Sequence, residues 1–381
     1  MRRARVIVSL LTVLAATAGT AVAQQPSPTP PPETSPAPVL PPTPVKPPTP
    51  PKVTVPRHAA QATGWARTTE PGVQLSRTPD PTVEPSGAAP SPRVAGEVLA
   101  VQADATGGVW VRLRYPDRVN GWAPGGSLVA VPAPQVLSPA AQAQIERGLR
   151  RLGSGGALVV RDPFGRTLLT AGTTRALSLA SVTKLATMAA ALRTMPVRAS
   201  TARAILTSSD NWVAQRLSNS LGRGSRAAGA RVTRESVAEL GATIRLVDGS
   251  GLSPGNRATA WEITDLLVAM REEPRFPTFL RGLPVSARTG TLAGRMHGTS
   301  AAGRVRAKTG TLFDHPTSSL CGYIWPAGAG LSINRALVLC MLENGVSPYR
   351  ARPAQDTIAQ ALTAPGALVT DVGRVEARRS L

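Results

Sequence analysis

The chain is short of lysine, histidine, cysteine and aromatic residues. Among its 43 lysines and arginines only four are lysine, at Lys46, Lys52, Lys184 and Lys308. The first two lie in a proline-rich segment, so the folded part keeps lysine only at Lys184 and Lys308. Arginine stays charged in proteins, whereas burial can deprotonate a lysine. Two lysines in an arginine-rich chain therefore indicate positions where a lysine amine is required.

The few histidines and cysteines argue against several kinds of site. The histidines are His58, His297 and His315, which we expect at a linker edge and in loops, where none serves as the base of a Ser-His-Asp hydrolase. Two cysteines, Cys321 and Cys340, leave too few ligands for a structural zinc site. The sequence has no nucleotide-binding loop, and we expect no cofactor.

The two cysteines flank a segment whose middle, Ala327–Leu331, is rich in glycine and alanine. A hairpin turn there places Cys321 and Cys340 opposite each other on neighbouring strands. A disulfide is then compatible with an exported protein, and a pair of buried free thiols is the alternative.

The net charge is +21, with 43 basic and 22 acidic residues. This balance suits a polyanionic surface such as a cell wall, but a solvated basic surface explains it better. Aromatic residues make up only 3% of the chain and form no stripe with basic residues, so we expect no nucleic-acid binding.

Residues 1–62 are predicted to be targeting and linker sequence. Arg2, Arg3 and Arg5 precede an apolar run that ends in the small-residue cleavage site Ala21–Ala23, which predicts a signal peptide over residues 1–23. An uncleaved membrane anchor is the alternative. The proline-rich segment 24–62 is predicted to be an extended linker. We therefore expect a secreted, periplasmic or wall-associated protein.

Residues 63–132 are predicted to be a small all-β barrel. The runs Gly96–Val101 and Val109–Tyr115 have strand composition, and turn residues lead on to Asn120–Pro124. The Trp-Val-Arg-Leu run followed by Gly-Trp-Ala-Pro resembles bacterial Src-homology-3-like domains. That resemblance implies a wall-targeting or spacer module, and a packing domain without a ligand is the alternative.

Residues 138–364 are predicted to form the main α/β (α+β) domain, an antiparallel sheet flanked by helices. Turn chemistry at Asp162–Gly165 predicts a hairpin. Strands are expected at 157–161, 166–171, 304–308, 318–325 and 335–342, helices at 139–152 and 353–362, and a frayed tail at 365–381.

A serine and a lysine open an apolar helix in the sequence Ser181-Val-Thr-Lys184. Side chains three positions apart share a helix face, so the two can meet. A serine at a helix start also has free backbone N–H groups nearby for a developing oxyanion. Burial lowers the pKa of a lysine and allows Lys184 to take the serine proton.

Two further short motifs follow. Ser209-Asp210-Asn211 is, taken alone, typical of a helix cap. The segment Lys308-Thr309-Gly310-Thr311 is predicted to end the strand at 304–308, with an ammonium, a hydroxyl and a glycine that admits close approach. Arg288–Thr291 repeats this motif with arginine in place of lysine and lacks a strand-like run, which makes it the poorer candidate.

The order Ser-x-x-Lys, Ser-Asp-Asn, Lys-Thr-Gly resembles that of the penicillin-recognising serine enzymes. The segments Asp248–Ser253 and Gly290–Leu312 are similar to those of D-alanyl-D-alanine carboxypeptidase/endopeptidases, the class C low-molecular-mass penicillin-binding proteins. The resemblance covers about 220 residues. It implies the serine β-lactamase-like fold of these transpeptidase-related proteins, cleavage of peptidoglycan stem peptides, and covalent inhibition by β-lactam antibiotics.

The same resemblance implies a role for each motif residue. Ser181 is the acylated nucleophile, Lys184 its base, and Ser209 the relay that protonates the leaving D-alanine. The substrate-binding residues are then Asn211 for the substrate amide, Lys308 and Thr309 for the terminal carboxylate, Gly310 for close approach, and the N–H groups of Ser181 and Thr311 for the oxyanion.

Ser181 and Ser209 are only 28 positions apart, whereas the resembled family inserts large domains between these motifs. The sequence therefore leaves two alternatives. A serine β-lactamase shares fold and nucleophile but needs a deacylating base, for which Glu235, Glu239 and Glu262 are available in helices that look surface-exposed. A non-catalytic wall-binding scaffold is the other.

Overall fold

The computed structural model describes residues 64–89, 94–115, 119–152 and 155–370, which all lie in one compact unit of the chain. The predicted signal peptide, His58 and the whole of the predicted linker lie outside these residues, as does the segment 371–381. In the part that is described, no helix combines the length and the apolar composition needed to cross a bilayer.

The first part of the described chain contains seven short strands. They are β1 (Gly64–Thr68), β2 (Gln74–Leu75), β3 (Gly87–Ala88), β4 (Gly96–Ala103), β5 (Val109–Arg114), β6 (Asn120–Pro124) and β7 (Leu128–Val131). An antiparallel sheet has the order β6-β5-β4-β1-β7, and β2 pairs with β3. The runs expected as strands are β4 and β5, and the segment after the turn is the additional strand β6. A wall-targeting role for this part stays a prediction.

The rest of the described chain forms an antiparallel sheet flanked by helices, as the sequence predicts. Its strands are β8 (Gln135–Leu137), β9 (Gly156–Arg161), β10 (Thr167–Gly172), β11 (Leu177–Ser178), β12 (Arg257–Ala258), β13 (Val305–Leu312), β14 (Thr317–Ile324), β15 (Leu337–Asn344) and β16 (Leu368–Thr370). Its helices are α1 (Pro139–Arg150), α2 (Thr183–Thr194), α3 (Ala199–Ala202), α4 (Asn211–Leu221), α5 (Arg226–Ala238), α6 (Ala260–Met270), α7 (Phe276–Gly282) and α8 (Pro348–Thr363).

The five main strands have the order β10-β9-β15-β14-β13, so the early hairpin joins the late strands in one sheet. The side chains of β15 alternate between two cores. Cys340 and Leu342 belong to the core that contains α2 and α6, while Leu339 and Met341 belong to the core that contains α1 and α8. Both faces of the sheet are therefore buried, which explains the nearly continuous apolar runs of its central strands.

Cys321 on β14 and Cys340 on β15 are cross-strand partners, and their sulfur atoms form a disulfide. The Gly/Ala-rich stretch between them lies in the connection between the two strands, as expected. His297 and His315 lie outside the named helices and strands. Among the described residues, no group of His, Cys, Asp and Glu side chains is placed to hold a metal ion.

Two predicted boundaries near the C-terminus are wrong. Helix α8 begins at Pro348 rather than at Pro353, which lies inside the helix. The segment expected to fray from residue 365 contains β16, which pairs with β8. Leu368 of this strand packs against the α1/α8 core, and this apolar contact gives the segment a reason to stay ordered.

A buried acid lies near the end of β15. The Glu343 side chain is 1% exposed, and its Oε2 has no hydrogen-bond partner among the described residues. It lies over Gly156, where a Cβ would come within 1.9 Å of Oε2. Burial raises the pKa of Glu343 from its ordinary value of 4.5 to about 8, because the interior disfavours the charged carboxylate.

We expect Glu343→Gln to raise the free energy of unfolding at pH 8 by a few kcal/mol. This is the free energy that corresponds to the difference between the folded and unfolded pKa values of Glu343. Between about pH 4.5 and 8 the folded state binds this proton and the unfolded state does not, so stability falls as pH rises through that range. Melting temperatures measured from pH 5 to 8 check this. The melting temperature of the variant should fall much less over this pH range than that of the wild type. An equal fall in both proteins would contradict a buried neutral Glu343.

Candidate active site

Ser181 lies in a one-turn 3-10 helix, Ala180–Val182, that leads into α2. Ala180, the residue before it, has a φ of 49°, a left-handed conformation that costs energy for a residue with a Cβ atom. Ser181 itself is half-buried and lines a cleft. The turn therefore holds a serine hydroxyl at the start of a buried helix, as the sequence predicts.

Two glycines allow other segments to press against this turn. A Cβ on Gly251 would lie 2.1 Å from the Ala180 carbonyl oxygen, and one on Gly310 would lie 2.6 Å from the Leu179 carbonyl oxygen. Such contacts cannot be accommodated without moving the backbone. The turn is consequently held between β13 and the loop that contains Gly251.

Lys184 is fully buried and its Nζ lies 2.9 Å from the Ser181 Oγ. The same Nζ donates to the Asn211 Oδ1 at 2.7 Å and to the Ser250 carbonyl oxygen. Burial lowers the pKa of Lys184 to about 8, against the opposing charges of Asp248 and Asp210. The amine is therefore close to the serine and partly neutral near physiological pH, as a base requires.

The loop that supplies the Ser250 carbonyl is organised by Asp248. This side chain is fully buried and accepts hydrogen bonds from the N–H groups of Ser250, Gly251 and Ser253, at 2.8, 2.6 and 2.8 Å. Burial favours a higher pKa for Asp248, but the hydrogen bonds from Gly251 and Ser253 lower it overall. Sequence reasoning used this segment only for its resemblance and missed this positioning role.

Lys308 is fully buried and donates from Nζ to the Ser209 Oγ at 2.8 Å. Burial and the positive charge of Lys184 hold the pKa of Lys308 well below its ordinary value. Ser209 has a φ of 61°. Asp210 caps α4 through the Val213 N–H at 2.9 Å, so the triplet contains a helix cap as well as two cleft residues.

The segment Lys308–Thr311 lies inside β13, which continues to Leu312. The prediction that the strand ends at Lys308 is wrong. Pairing with β14 extends over the whole segment, from Val305 to Leu312. Because side chains alternate along a strand, Thr309 and Thr311 share one face, and both line the cleft.

The cleft has a volume of about 480 Å³. Its walls come from Ser181, Ser209, Asn211, Thr291, Gly294, Arg295, Thr309, Thr311 and Arg352. Four of these are not among the site residues that the sequence predicts: Thr291, Gly294, Arg295 and Arg352. Thr291 ends the segment Arg288–Thr291, the poorer candidate in the sequence, and its Oγ1 accepts a hydrogen bond from the Thr309 Oγ1 at 2.7 Å.

The two arginines of the cleft differ in their partners. Arg295 forms an ion pair with Asp356 at 2.6 Å and also donates to Gln355. Arg352 donates to the Thr311 Oγ1 at 3.2 Å, and no carboxylate in the described part of the chain pairs with it. Arg352 therefore offers the cleft a guanidinium whose charge is not neutralised, beside the threonines of β13.

The sequence model of the D-Ala-D-Ala carboxypeptidase 3 (S13) family matches residues 154–364, more than half of the chain. A D-alanyl-D-alanine carboxypeptidase of Actinomadura sp. (strain R39) is 38% identical over 164 residues, which are 40% of this chain and 29% of the relative. Carboxypeptidase DacB of Mycolicibacterium smegmatis is 33% identical over 128 residues, 32% of this chain and 26% of the relative. The matched region thus spans less than a third of either relative.

Two solved structures also align with the chain. One is a D-alanyl-D-alanine carboxypeptidase from Mycobacterium tuberculosis H37Rv, with 18% identity, a TM-score of 0.42, and coverage of 63% of this chain and 97% of that chain. The other is a class A β-lactamase from Mycobacterium abscessus, with 18% identity, a TM-score of 0.47, and coverage of 58% and 97%.

Proposed function

The chain belongs to the D-Ala-D-Ala carboxypeptidase 3 (S13) family, and from this membership we propose that it is a serine D-alanyl-D-alanine carboxypeptidase that acts on peptidoglycan stem peptides. One observation carries the proposal. A buried amine of lowered pKa lies 2.9 Å from the Ser181 hydroxyl, and a second buried lysine contacts Ser209 in the same cleft. This arrangement suits acyl transfer without a cofactor.

In the proposed reaction the Ser181 Oγ attacks the carbonyl carbon between the two D-alanines while neutral Lys184 takes its proton. The N–H groups of Ser181 and Thr311 stabilise the oxyanion. The C–N bond then breaks, and Ser209 delivers a proton to the leaving amine. Water hydrolyses the acyl-enzyme and regenerates the serine. A cross-linked peptide is a second substrate, in an endopeptidase reaction of the same chemistry.

Substrate binding in this proposal uses the remaining cleft residues. Asn211 holds the substrate amide, Lys308 and Thr309 receive the terminal carboxylate, and Gly310 lets the substrate backbone approach. We add Arg352 to the residues that bind the terminal carboxylate, because its guanidinium is not neutralised and contacts the Thr311 Oγ1. β-Lactam antibiotics acylate Ser181 in the same way.

Location and wall attachment form part of the proposal. The substrate of such an enzyme lies outside the cytoplasm, which agrees with the predicted signal peptide over residues 1–23. We propose that the sheet in residues 63–132 is an Src-homology-3-like spacer or wall-targeting module joined by the linker at 24–62. The domain limits 63–132 and 138–364 are proposals as well.

The β-lactamase alternative has less support from the geometry. Glu235 pairs with Arg231, Glu239 pairs with Arg193, and Glu262 caps α6. None of the three lines the cleft. A fast deacylating base of this type is therefore missing from the described cleft walls.

The test is release of D-alanine from a peptide ending in D-Ala-D-Ala, together with labelling by fluorescent penicillin. We expect both, with the penicillin adduct on the tryptic peptide Ala176–Lys184. Rapid nitrocefin turnover without D-alanine release would favour the β-lactamase. An intact protein that is neither labelled nor active would favour the non-catalytic scaffold.

Arg352→Ala should slow acylation by benzylpenicillin about 10- to 100-fold, because a charge-assisted hydrogen bond to the carboxylate is lost. The loss should be far smaller for the methyl ester of benzylpenicillin, which has no carboxylate charge. Arg350→Ala, an exposed arginine on the same helix, is the matched control. Equal losses for the acid and the ester would show that Arg352 does not bind the carboxylate.

A further inference from the structure

The chain has 13 aromatic residues, six Trp, three Tyr and four Phe, and all are described. Three of them are largely exposed: Trp212 (65%), Phe313 (60%) and Tyr349 (72%). Each lies in a segment that also lines the cleft. Trp212 follows Asn211, Phe313 lies two residues after Thr311, and Tyr349 lies one helical turn before Arg352. Exposed aromatic groups gathered beside a cleft are typical of a recognition surface.

Phe313 and Tyr349 contact each other at the end of β13. Their ring centroids are 6.0 Å apart. Phe313 directly follows Leu312, the last residue of β13. Tyr349 and Arg352 share a face of α8 because they are three positions apart, and Arg352 donates to the Thr311 Oγ1. The ring pair therefore lies on the two segments that supply Thr311 and Arg352 to the cleft.

The proposed function, on which this inference rests, sets the direction of a peptide along β13. Lys308 and Ser209 mark the end that receives the leaving D-alanine. Thr311 lies three residues further along the strand, and Phe313 lies beyond it. A peptide with its C-terminus at Lys308 runs antiparallel to β13, which is the edge strand of the described sheet. Its acyl portion then points towards Phe313.

We infer that Phe313 and Tyr349 form an apolar subsite for the group on the acyl side of the scissile bond. The ring pair exposes apolar surface, since both of its side chains are more than half exposed. It would bury an aromatic or aliphatic group there, which gains free energy in proportion to the apolar area removed from water. The subsite sets the preference for the acyl group and leaves the chemistry at Ser181 unchanged.

Two penicillins test this subsite in the full mature chain. Benzylpenicillin has a phenylacetyl group on the acyl side, and 6-aminopenicillanic acid has the same ring system and carboxylate without that group. In Phe313→Ala/Tyr349→Ala we expect the second-order acylation rate with benzylpenicillin to fall about tenfold, while the rate with 6-aminopenicillanic acid changes less than about twofold. Competition against a fluorescent penicillin measures both rates.

Leu331→Ala is the matched control, since Leu331 is as exposed as Phe313 (60%) and lies in the connection between β14 and β15. It should leave both rates unchanged. An unchanged ratio of the two rates in the double variant overturns the subsite, and so does an equal fall in both rates at an unchanged melting temperature. Failure of the intact protein to react with either compound would instead remove the proposed function, and this subsite with it.

Discussion

Replacing Ser181 with alanine is expected to abolish covalent labelling by penicillin and release of D-alanine. The variant lacks the only hydroxyl within hydrogen-bond distance of the Lys184 Nζ in the described cleft. Removing the nucleophile of a serine hydrolase costs on the order of 10⁴- to 10⁶-fold in rate. Gel fluorescence after labelling, with mass analysis of the peptide Ala176–Lys184, measures the effect.

Ser220→Ala is the matched control, because Ser220 lies near the end of α4, does not line the described cleft, and donates from Oγ to the Leu217 carbonyl oxygen. It should be labelled like the wild type. If Ser181→Ala still formed a stable adduct at a wild-type rate, the nucleophile would be another residue. Since Ser209 is the other serine of the cleft, the adduct should then be sought on its peptide.

The rate of acylation is expected to rise with pH and level off above a midpoint near pH 8. Only the neutral amine of Lys184 can accept the serine proton, and burial lowers the pKa of this group to about 8. Below that pH the charged fraction grows, so the rate should fall about tenfold for each pH unit. In Lys184→Arg the guanidinium stays charged, and the rate should drop about 10²- to 10⁴-fold, the usual range for a lost general base.

A second group could produce the same midpoint. Burial also raises the pKa of Glu343 to about 8, so Glu343→Gln is the necessary control. It should keep the wild-type pH profile of acylation while changing the pH dependence of stability. If the pH dependence of acylation were lost in Glu343→Gln but kept in Lys184→Arg, the midpoint near pH 8 would belong to Glu343. That result would contradict the role of Lys184 as base.

The short-range part of this site follows from local rules. Ser181 and Lys184 meet because a helix places residues three apart on one face, and the apolar sequence around them predicts the burial that lowers the lysine pKa. Thr309 and Thr311 share a face because a strand alternates. Even the rival interpretation of Ser209–Asn211 as a helix cap holds for Asp210, since capping requires only a side chain and the next few N–H groups.

The long-range part of the site could not be predicted in this way. Arg352 lies 41 positions from Thr311, and nothing in its neighbourhood distinguishes it from the other arginines of the chain. The segment of Thr291 lacks strand character, which makes it the poorer candidate in the sequence, yet a loop can line a cleft as well as a strand can. The Ser250 carbonyl that contacts Lys184 is a backbone group, which leaves no mark on residue type.

By itself, the sequence determined the antiparallel sheet with its flanking helices, the three motifs, and the two lysines that the folded part keeps. These features depend on periodicity, turn chemistry and residue type, all of which act over a few neighbouring positions. Only the tertiary structure decided that Lys184 and Lys308 lie at one cleft, that Arg295 is neutralised while Arg352 is not, and that Phe313 and Tyr349 pair as exposed rings. Packing brings these groups together from distant segments, and the side chains around each group then determine its charge and exposure.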